Sequence, residues 1–454
     1  MVDFDVIVVG GGIAGLGVAA QLQLSGLRTL LVDEHSRIGG RSTTLPYMEG
    51  WLMDLGHHCV NLAEKSEVSW LVRKVGKEIK WAKPIVGVQV YREGAWRDFK
   101  DAFSLSRSEV EDYEKISKMI KGMSDEEIEK IDDVSLRDWL LQYTESESVI
   151  EMFGIIGMGY TTIPDPSEQS AGEVVWIHRE NMLRMGDFVE RPAGIPVGGA
   201  INLSKPLADA LTENGGVIKL RNKATEIILE DQRAKGVKVL ERGKTEEDFY
   251  TARIIVCAIP ISRLVEILFT DENLSQLEPE WVKRMEEVKD QVTGSIGYIT
   301  GLSKPIYAEP SFKCVFRLPR AGLPFQIFAP SNHDETVAPR GKMLVSMGAP
   351  AKPWQVTDEK TKSKLFEDIW ADIEEMFPGI AELVEWNVPG TFVGVDGLER
   401  KPGLVGEKRP DVKAPGVEGL YFAGDNFRGR GVGMNSAANS AMICAERILR
   451  DLGG

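Results

Sequence analysis

The amino-acid sequence predicts an α/β fold, in which a parallel sheet covered by helices is combined with an interleaved α+β lobe. The first observation is Val6-Ile7-Val8-Val9, a β-branched run typical of a strand buried on both faces. A glycine-rich turn follows it, and then an amphipathic helical pattern, which Gly26 ends, with Leu16, Ala19, Ala20, Leu22 and Leu24 on its apolar face. A second apolar strand at 29–32 comes next. The second observation is the length of 454 residues. Because single hydrophobic cores stop growing near roughly 250–300 residues, we expect two or more lobes.

Charge and cysteine usage exclude several classes of protein. The chain carries 69 acidic and 54 basic residues, a net charge of −15, which argues against general nucleic-acid binding and gives no attraction to an anionic membrane. Its four cysteines are scattered and form no CxxC, which is typical of reduced thiols in a cytoplasmic protein and not of a disulfide framework or a zinc site. No apolar run reaches the about 18 residues of a membrane span, and the acidic start argues against a signal peptide.

The turn after the first strand reads Gly10-Gly11-Gly12-Ile13-Ala14-Gly15, a G-x-G-x-x-G motif. In a strand–turn–helix unit, Gly10 permits the tight turn, Gly12 lets the backbone approach a pyrophosphate, and Gly15 lets the helix pack against the strand. The helix start at Ile13 and Ala14 offers free N–H groups to the phosphates. Asp33 ends the second strand, where a carboxylate accepts both ribose hydroxyls and disfavours a 2′-phosphate. The unit therefore predicts a Rossmann-like dinucleotide site.

The residues after Asp33 indicate which dinucleotide binds. After Asp33 come five residues, which begin with Glu34 and end with Ile38, and then Gly39-Gly40-Arg41. This spacing resembles a family of FAD enzymes that includes phytoene desaturases, monoamine oxidases and protoporphyrinogen oxidase. The resemblance implies FAD, with Gly40 allowing close passage of the cofactor and Arg41 pairing with its pyrophosphate. No cysteine or histidine lies in the segment with which some members tether the flavin, so we expect non-covalent FAD.

A second part of the same site is expected near the C-terminus. Leu420-Tyr421-Phe422-Ala423 resembles the family's buried strand before Gly424-Asp425, and Gly433-Met434 begins a helix rich in small residues. The resemblance implies that Asp425 contacts the ribitol side and that Gly433 and Met434 lie by the flavin carbonyl, where a helix dipole stabilises negative charge on the reduced ring. It also implies that the backbone at Ala224 pairs with the adenine.

The matching stretches divide the chain into two domains. We expect residues 1–80, 195–270 and 385–454 to form a discontinuous FAD-binding domain. Residues 81–194 and 271–384 are expected to form a substrate-binding domain with a helical cap. Alternating runs predict the strands of its sheet at 86–91, 295–302, 312–316 and 343–347. The stretch 104–184 is predicted to be mainly helical, with Ser146 or Ser148 as a cap.

Two features bear on the substrate. The apolar stretch 149–160 predicts a buried helix, with a wall of a hydrophobic cavity or a contact with a membrane surface as alternatives. His57 and His58 follow an Asp-x-Gly segment that, by resemblance, runs past the flavin, so either is a candidate acid or base. Packed or surface histidines are the alternative, and we expect structural roles for Tyr160 and His178. Residues 57 and 58 would point in opposite directions along a strand, so no metal site is expected.

The type of reaction is predicted from two residues of the family's amine oxidases that this sequence lacks. The family's amine oxidases place a lysine near the flavin, and the corresponding position here falls near Gly297. Their amine-caging aromatic also has no counterpart in the segment Asn426-Phe427-Arg428. The prediction is therefore an enzyme that desaturates, saturates or isomerises a C–C bond of a hydrophobic cyclic or isoprenoid substrate, with oxygen, a quinone or another carrier as electron acceptor. An amine oxidase without the usual lysine and a prenyl-binding protein resembling Rab GDP-dissociation inhibitors remain the alternatives.

Overall fold

The fold is given by a computed structural model that describes residues 2–56, 59–186 and 193–453. Five strands form a sheet that we call the parallel sheet, because every neighbouring pair runs in the same direction. In spatial order its strands are Leu420–Phe422, Ile254–Cys257, Val6–Val9, Thr29–Asp33 and Val217–Leu220. The central strand, Val6–Val9, is buried on both faces, as its β-branched composition predicts. The predicted α/β class is confirmed.

Helices cover the parallel sheet and share one hydrophobic core with it. These helices are Ile13–Leu24, Glu67–Lys74, Ile201–Glu213 and Met434–Gly453. The first was expected to be amphipathic, with Leu24 on its apolar face. This expectation is wrong, because the other three helices pack around it and bury almost all of its sides, whereas Leu24 is 45% exposed.

A small antiparallel sheet completes this half of the molecule. Its strands are Asn222–Glu230, Arg233–Glu241 and Asp248–Thr251. Apolar side chains of its first two strands belong to the core of the parallel sheet. Three further helices accompany it: Ile261–Leu268, Asp271–Leu274 and Pro279–Val288.

Seven strands form a second large sheet, which we call the mixed sheet. In spatial order they are Val384–Leu398, Val292–Leu302, Met343–Ala351, Phe325–Phe328, Phe312–Val315, Val88–Arg92 and Ala95–Asp98. All four strands predicted for the second lobe are present in it, with shifted ends. One face packs against the helix Glu359–Met376 in a separate core. The opposite face is therefore available for the site described below.

The cap is a group of helices that packs around its own core. Its members are Phe99–Ala102, Arg107–Gly122, Asp125–Glu129, Leu136–Leu140, Glu147–Thr161 and Ala171–Met185. Ser146 caps the fifth helix, its hydroxyl accepting a hydrogen bond from the Val149 backbone N–H at 3.3 Å. The prediction that residues 104–184 are mainly helical is confirmed.

The remaining elements are short. They are the strand pairs Thr44–Tyr47 with Trp51–Asp54 and Val60–Asn61 with Ala193–Gly194, the helix Pro353–Thr357, and 3-10 turns at Gly40–Ser42, Ala63–Lys65, Pro330–Asn332, Ile380–Leu383 and Gly406–Lys408. None of the helices in the three described ranges combines the length and the apolar character that crossing a membrane requires.

Close backbone packing shapes the turn before the first helix. Gly10 has a φ of +109°, and a Cβ on Gly15 would lie 1.9 Å from the carbonyl oxygen of Gly10. Gly12 differs, because its φ is −80° and an added Cβ would meet nothing within 4 Å. Folding therefore needs glycine at positions 10 and 15, whereas the glycine at position 12 leaves space beside the turn.

We expect Gly15→Ala to lower the free energy of unfolding by about 3 kcal/mol, at the upper end for overpacking, because the methyl group collides with backbone. Gly12→Ala is the matched control and should stay within about 0.5 kcal/mol of the wild type, as surface substitutions usually do. Urea unfolding of the two apoproteins, followed by circular dichroism, measures both values. Equal stability of the two variants would contradict the packing role of Gly15.

Candidate cofactor and substrate site

A cavity of about 1120 Å³ lies between the parallel sheet, the mixed sheet and the cap. Ligand pockets usually enclose about 300–1,000 Å³, so this cavity has room for a dinucleotide and a further molecule. Thirteen residues predicted for cofactor binding line it: Gly10, Gly12, Ile13, Ala14, Asp33, Glu34, Gly40, Arg41, Ala224, Gly424, Asp425, Gly433 and Met434. Gly15 packs beneath the turn instead. Folding thus brings the two predicted halves of the site into one cavity.

The predicted acid–base candidates, His57 and His58, lie outside the described residues. Their described neighbours, Gly56 and Cys59, both line the cavity.

Asp33 holds the glycine turn together. One of its carboxylate oxygens accepts a hydrogen bond from the Gly11 N–H at 2.6 Å, and the other accepts one from the His35 N–H at 2.7 Å. A carboxylate has about four acceptor sites, so these bonds leave capacity for ribose hydroxyls. Asp33 therefore organises the turn in addition to the role predicted from its position.

Arg41 and Asp425 join the two sequence-distant halves of the site. Nη2 of Arg41 lies 2.7 Å from Oδ1 of Asp425, and its Nη1 donates to the Val395 carbonyl at 3.0 Å. The Asp425 side chain is buried, whereas that of Arg41 is partly exposed. Gly424 N–H donates to the hydroxyl of Ser440 at 3.1 Å, which ties the same segment to the last helix. Two residues predicted to contact different parts of FAD are thus already in contact with each other.

The residues around the glycine turn, Arg41 and Asp425 form the part of the cavity that we call the cofactor end. They fit a dinucleotide. Space beside Gly12, the start of the helix Ile13–Leu24 and the Arg41 guanidinium together provide room, N–H donors and positive charge for a pyrophosphate. Arg242 also lines the cavity but was missed from the sequence. It follows the antiparallel strand Arg233–Glu241, and its backbone N–H donates to the Arg221 carbonyl. The backbone N–H of Arg221 in turn donates to the His35 carbonyl. No local motif marks it, because this proximity depends on three separate segments.

A row of three glycines forms the middle of the cavity wall that the mixed sheet contributes. Gly297 is directly paired with Gly348 on one side and with Gly390 on the other, and all three line the cavity. A Cβ on Gly348 would meet only the Ile296 carbonyl oxygen, at 3.8 Å. Neighbouring cavity-lining residues on the same face are Ser295, Ile299, Ser346, Pro350, Val388 and Phe392. The row therefore leaves a flat, backbone-lined slot in a largely apolar wall.

The slot contains Gly297, near which the resemblance to the amine oxidases predicts the position of their lysine. A Cβ on Gly297 would lie 2.0 Å from the Met347 carbonyl oxygen, so this position has no space for a side chain. Phe427, the aromatic residue of the segment before the last helix, is fully buried and stacks on Phe422 at 4.9 Å between ring centroids. Phe427 is not part of the described cavity wall.

The cap supplies another apolar wall. In the helix Glu147–Thr161, Val149 and Phe153 pack inside the cap core, whereas Ile155, Ile156, Met158, Gly159 and Tyr160 line the cavity. The stretch 149–160 is therefore both a buried helix and a cavity wall. The Tyr160 hydroxyl lies 3.2 Å from Nδ1 of His178 and accepts from Asn181 at 2.8 Å. This buried hydrogen-bond network connects the wall helix to the neighbouring cap helix Ala171–Met185.

Asp396 is a further cavity-lining residue that the sequence did not reveal. The Thr162 hydroxyl of the cap donates to its carboxylate, and a Cβ on Gly433 would lie 2.7 Å from Oδ1 of Asp396. The carboxylate thus stands where the cap, the mixed sheet and the last helix meet. Cys59, which also lines the cavity, has its pKa raised to about 12, chiefly by burial and to a lesser degree by Asp396.

No group of three or more His, Cys, Asp or Glu residues within 2–56, 59–186 and 193–453 is arranged to hold a metal ion.

Comparison with known proteins identifies the family. Residues 13–449 match the family model described as flavin containing amine oxidoreductase. Pseudooxynicotine dehydrogenase from Pseudomonas sp. is 22% identical over 82% of this chain and 72% of its own length. The chloroplastic prolycopene isomerase of Daucus carota is 23% identical over 99% of this chain and 81% of its own. A solved structure of an oxidoreductase from Methanosarcina mazei has a TM-score of 0.79 at 20% identity, covering 97% of this chain and 99% of that one.

The family match runs from the start of the first helix through the cap and the mixed sheet into the last helix, so it includes residues from every wall of the cavity. The matched relatives bear the names of a dehydrogenase and an isomerase, which favours an enzyme over a prenyl-binding protein. The chain belongs to the flavin containing amine oxidoreductase family, whose members are flavin-dependent enzymes.

Proposed function

We propose that this protein binds FAD non-covalently and desaturates, saturates or isomerises a C–C bond in a hydrophobic cyclic or isoprenoid substrate. The observation that carries the proposal is the glycine row Gly297, Gly348 and Gly390, which offers a flat apolar slot where an amine oxidase would place a lysine. A planar ring or a polyene can lie flat against backbone. The similarity to prolycopene isomerase, an enzyme named for a polyene, supports this class of substrate.

The chain's own residues bind, orient and shield in this proposal. Bound flavin supplies a hydride acceptor or donor, which is chemistry that side chains lack. The apolar walls of the cap and the mixed sheet exclude water and hold the substrate in one orientation. Asp396, hydrogen-bonded by Thr162, is a carboxylate in the described wall that can hold a proton. The acid–base role of His57 or His58 stays a prediction, as does the choice of oxygen, a quinone or another carrier as electron acceptor.

Amine oxidation is the second candidate. The family description, flavin containing amine oxidoreductase, supports it, and so does the similarity to pseudooxynicotine dehydrogenase over 82% of this chain. An amine substrate would have to be oxidised without a lysine at position 297. The two candidates therefore differ in which compounds reduce the bound flavin.

We expect Asp33→Ala to weaken FAD binding by about 10- to 100-fold, because hydrogen bonds to a charged group contribute about 1.5–3 kcal/mol. Gly12→Ala should also weaken binding, since its methyl group enters the space beside the turn, while the apoprotein stays as stable as the wild type. Fluorescence titration of the apoproteins with FAD gives the dissociation constants. Asp209→Ala, which removes an exposed ion pair with Lys205, is the control. Wild-type affinity in both Asp33→Ala and Gly12→Ala would refute the proposed cofactor end.

Acid precipitation should release all of the flavin into the supernatant. Covalent attachment to cysteine requires a thiolate, and burial raises the pKa of the cavity-lining thiols Cys59 and Cys314 to about 12. Absorbance of the supernatant and the pellet at the flavin maximum measures the partition. Colour that stays with the pellet would show a covalent bond.

Under anaerobic conditions, a poly-cis carotenoid or a cyclic terpenoid should reduce the bound flavin or be isomerised on it, whereas benzylamine and putrescine should do neither. Gly348→Val should lower the response to the flat compounds by about tenfold or more, because its side chain fills the slot and costs the contacts of the bound ring. Flavin absorbance and product chromatography report the two outcomes.

Gly122→Val is the matched control, because a Cβ at that cap position meets nothing within 4 Å and the residue lies outside the cavity wall. Rapid bleaching of the flavin by an amine would replace the proposed reaction with amine oxidation. An unchanged response in Gly348→Val would remove the glycine slot from the proposal.

A further inference from the structure

A buried ionic cluster joins the cap to the cofactor side of the cavity. Nη2 of Arg430 lies 2.7 Å from Oδ2 of Asp132, and its Nη1 lies 3.0 Å from Oε2 of Glu173. The exposed fractions of these three side chains are 13%, 6% and 1%, respectively. Both carboxylates are therefore shielded from water and depend on Arg430 for their main counter-charge.

The members of the cluster belong to different parts of the fold. Asp132 lies between the cap helices Asp125–Glu129 and Leu136–Leu140, and Glu173 lies in the first turn of the cap helix Ala171–Met185. Arg430 belongs to the segment 424–434, which leads from the parallel sheet into the last helix. On either side of Arg430 this segment lines the cavity, with Gly424, Asp425, Asn426, Val432, Gly433 and Met434. The ion pairs therefore connect the cap with the cofactor-side wall.

The surrounding contacts leave the cluster little freedom to rearrange. The Gly431 N–H donates to Oε1 of Glu173 at 3.3 Å, and the Arg430 N–H donates to the side chain of Asn439 at 3.0 Å. A Cβ on Gly406 would lie 2.6 Å from Nη2 of Arg430, so a third segment packs directly over the pair. The backbone at 430–431 is thus held from the cap and from the last helix together.

Glu173 and Asp132 differ in how strongly they depend on Arg430. Arg400, which is fully buried, has its Nε 3.6 Å from Oε1 of Glu173, so Glu173 keeps a second cation nearby if Arg430 is lost. Burial raises the pKa of Asp132, and Arg430 opposes that rise. Loss of Arg430 would therefore leave Asp132 as a buried acid without its ion-pair partner.

We propose that Arg430 is a positioning residue that locks the 424–434 segment to the cap and thereby sets the affinity and the reduction potential of the bound flavin. The proposal rests on the proposed function, because it takes the start of the helix Met434–Gly453 to face the flavin. The positive end of a helix dipole stabilises nearby negative charge only within about one turn, so a small displacement of this end changes the potential. Released from the cap, the segment would stabilise the reduced flavin less.

The test uses the holoenzyme with Arg430→Met, Arg430→Lys and the double neutral variant Asp132→Asn with Glu173→Gln. We expect Arg430→Met to weaken FAD binding by about tenfold or more, because residues in contact are energetically coupled, and to make the flavin potential more negative. Arg430→Lys should restore part of both values. The double variant keeps Arg430 but removes the lock, so it should shift the potential in the same direction even if Arg430→Met fails to fold.

Arg184→Met is the matched control. Arg184 pairs with Glu67 at 2.7 Å and also links the cap to a helix on the parallel sheet, but neither residue lines the cavity. It should lower thermal stability without moving the potential. Wild-type affinity and potential in both Arg430→Met and the double variant, or an equal shift in Arg184→Met, would overturn the positioning role. A wild-type protein that binds no flavin would instead overturn the proposed function itself.

Discussion

The carbonyl oxygen of Gly10 lies directly under the first helix, and the site is built outward from this contact. Without a side chain at Gly15, the helix Ile13–Leu24 comes close enough for its first N–H groups to face the cavity. Asp33 then holds the turn through the Gly11 N–H. Because the strands of the parallel sheet end at one edge, the residues that follow each of them meet beside this turn. The cofactor end therefore depends on one close backbone contact.

The mixed sheet provides the second constraint, which is the alternation of side chains between its two faces. The side chains of Ile296, Met347 and Ala349 belong to the core against the helix Glu359–Met376, and the alternate residues Gly297 and Gly348 line the cavity. The same strands thus stabilise the second lobe and form one wall of the cavity. A glycine contributes nothing to a core, and a row of three paired glycines weakens a sheet. Gly348 and Gly390 leave space in the cavity wall, whereas position 297 needs glycine because a Cβ there would collide with the Met347 carbonyl oxygen.

Charges hold the walls of the cavity together. Arg41 with Asp425 connects the N-terminal and C-terminal parts of the cofactor end, and Arg430 with Asp132 and Glu173 connects the cofactor side to the cap. A buried ion pair such as that of Arg430 gains little net stability, because desolvation offsets the attraction, but it fixes one arrangement. In this protein the ion pairs fix the relative positions of segments that are far apart in the sequence. These pairs therefore contribute more to the geometry of the cavity than to the stability of the fold.

The sequence by itself determined the features that depend on local spacing. The strand, the glycine turn and Asp33 gave the α/β class and the cofactor end, because each residue acts through its own backbone or its immediate neighbours. The tertiary structure decided the rest: that the first helix is buried on nearly all sides, that Gly297 is one of three paired glycines, and that Arg242, Asp396 and Arg430 stand at the cavity or its border. These features arise where strands and helices from distant segments pack together, and no local pattern encodes that proximity.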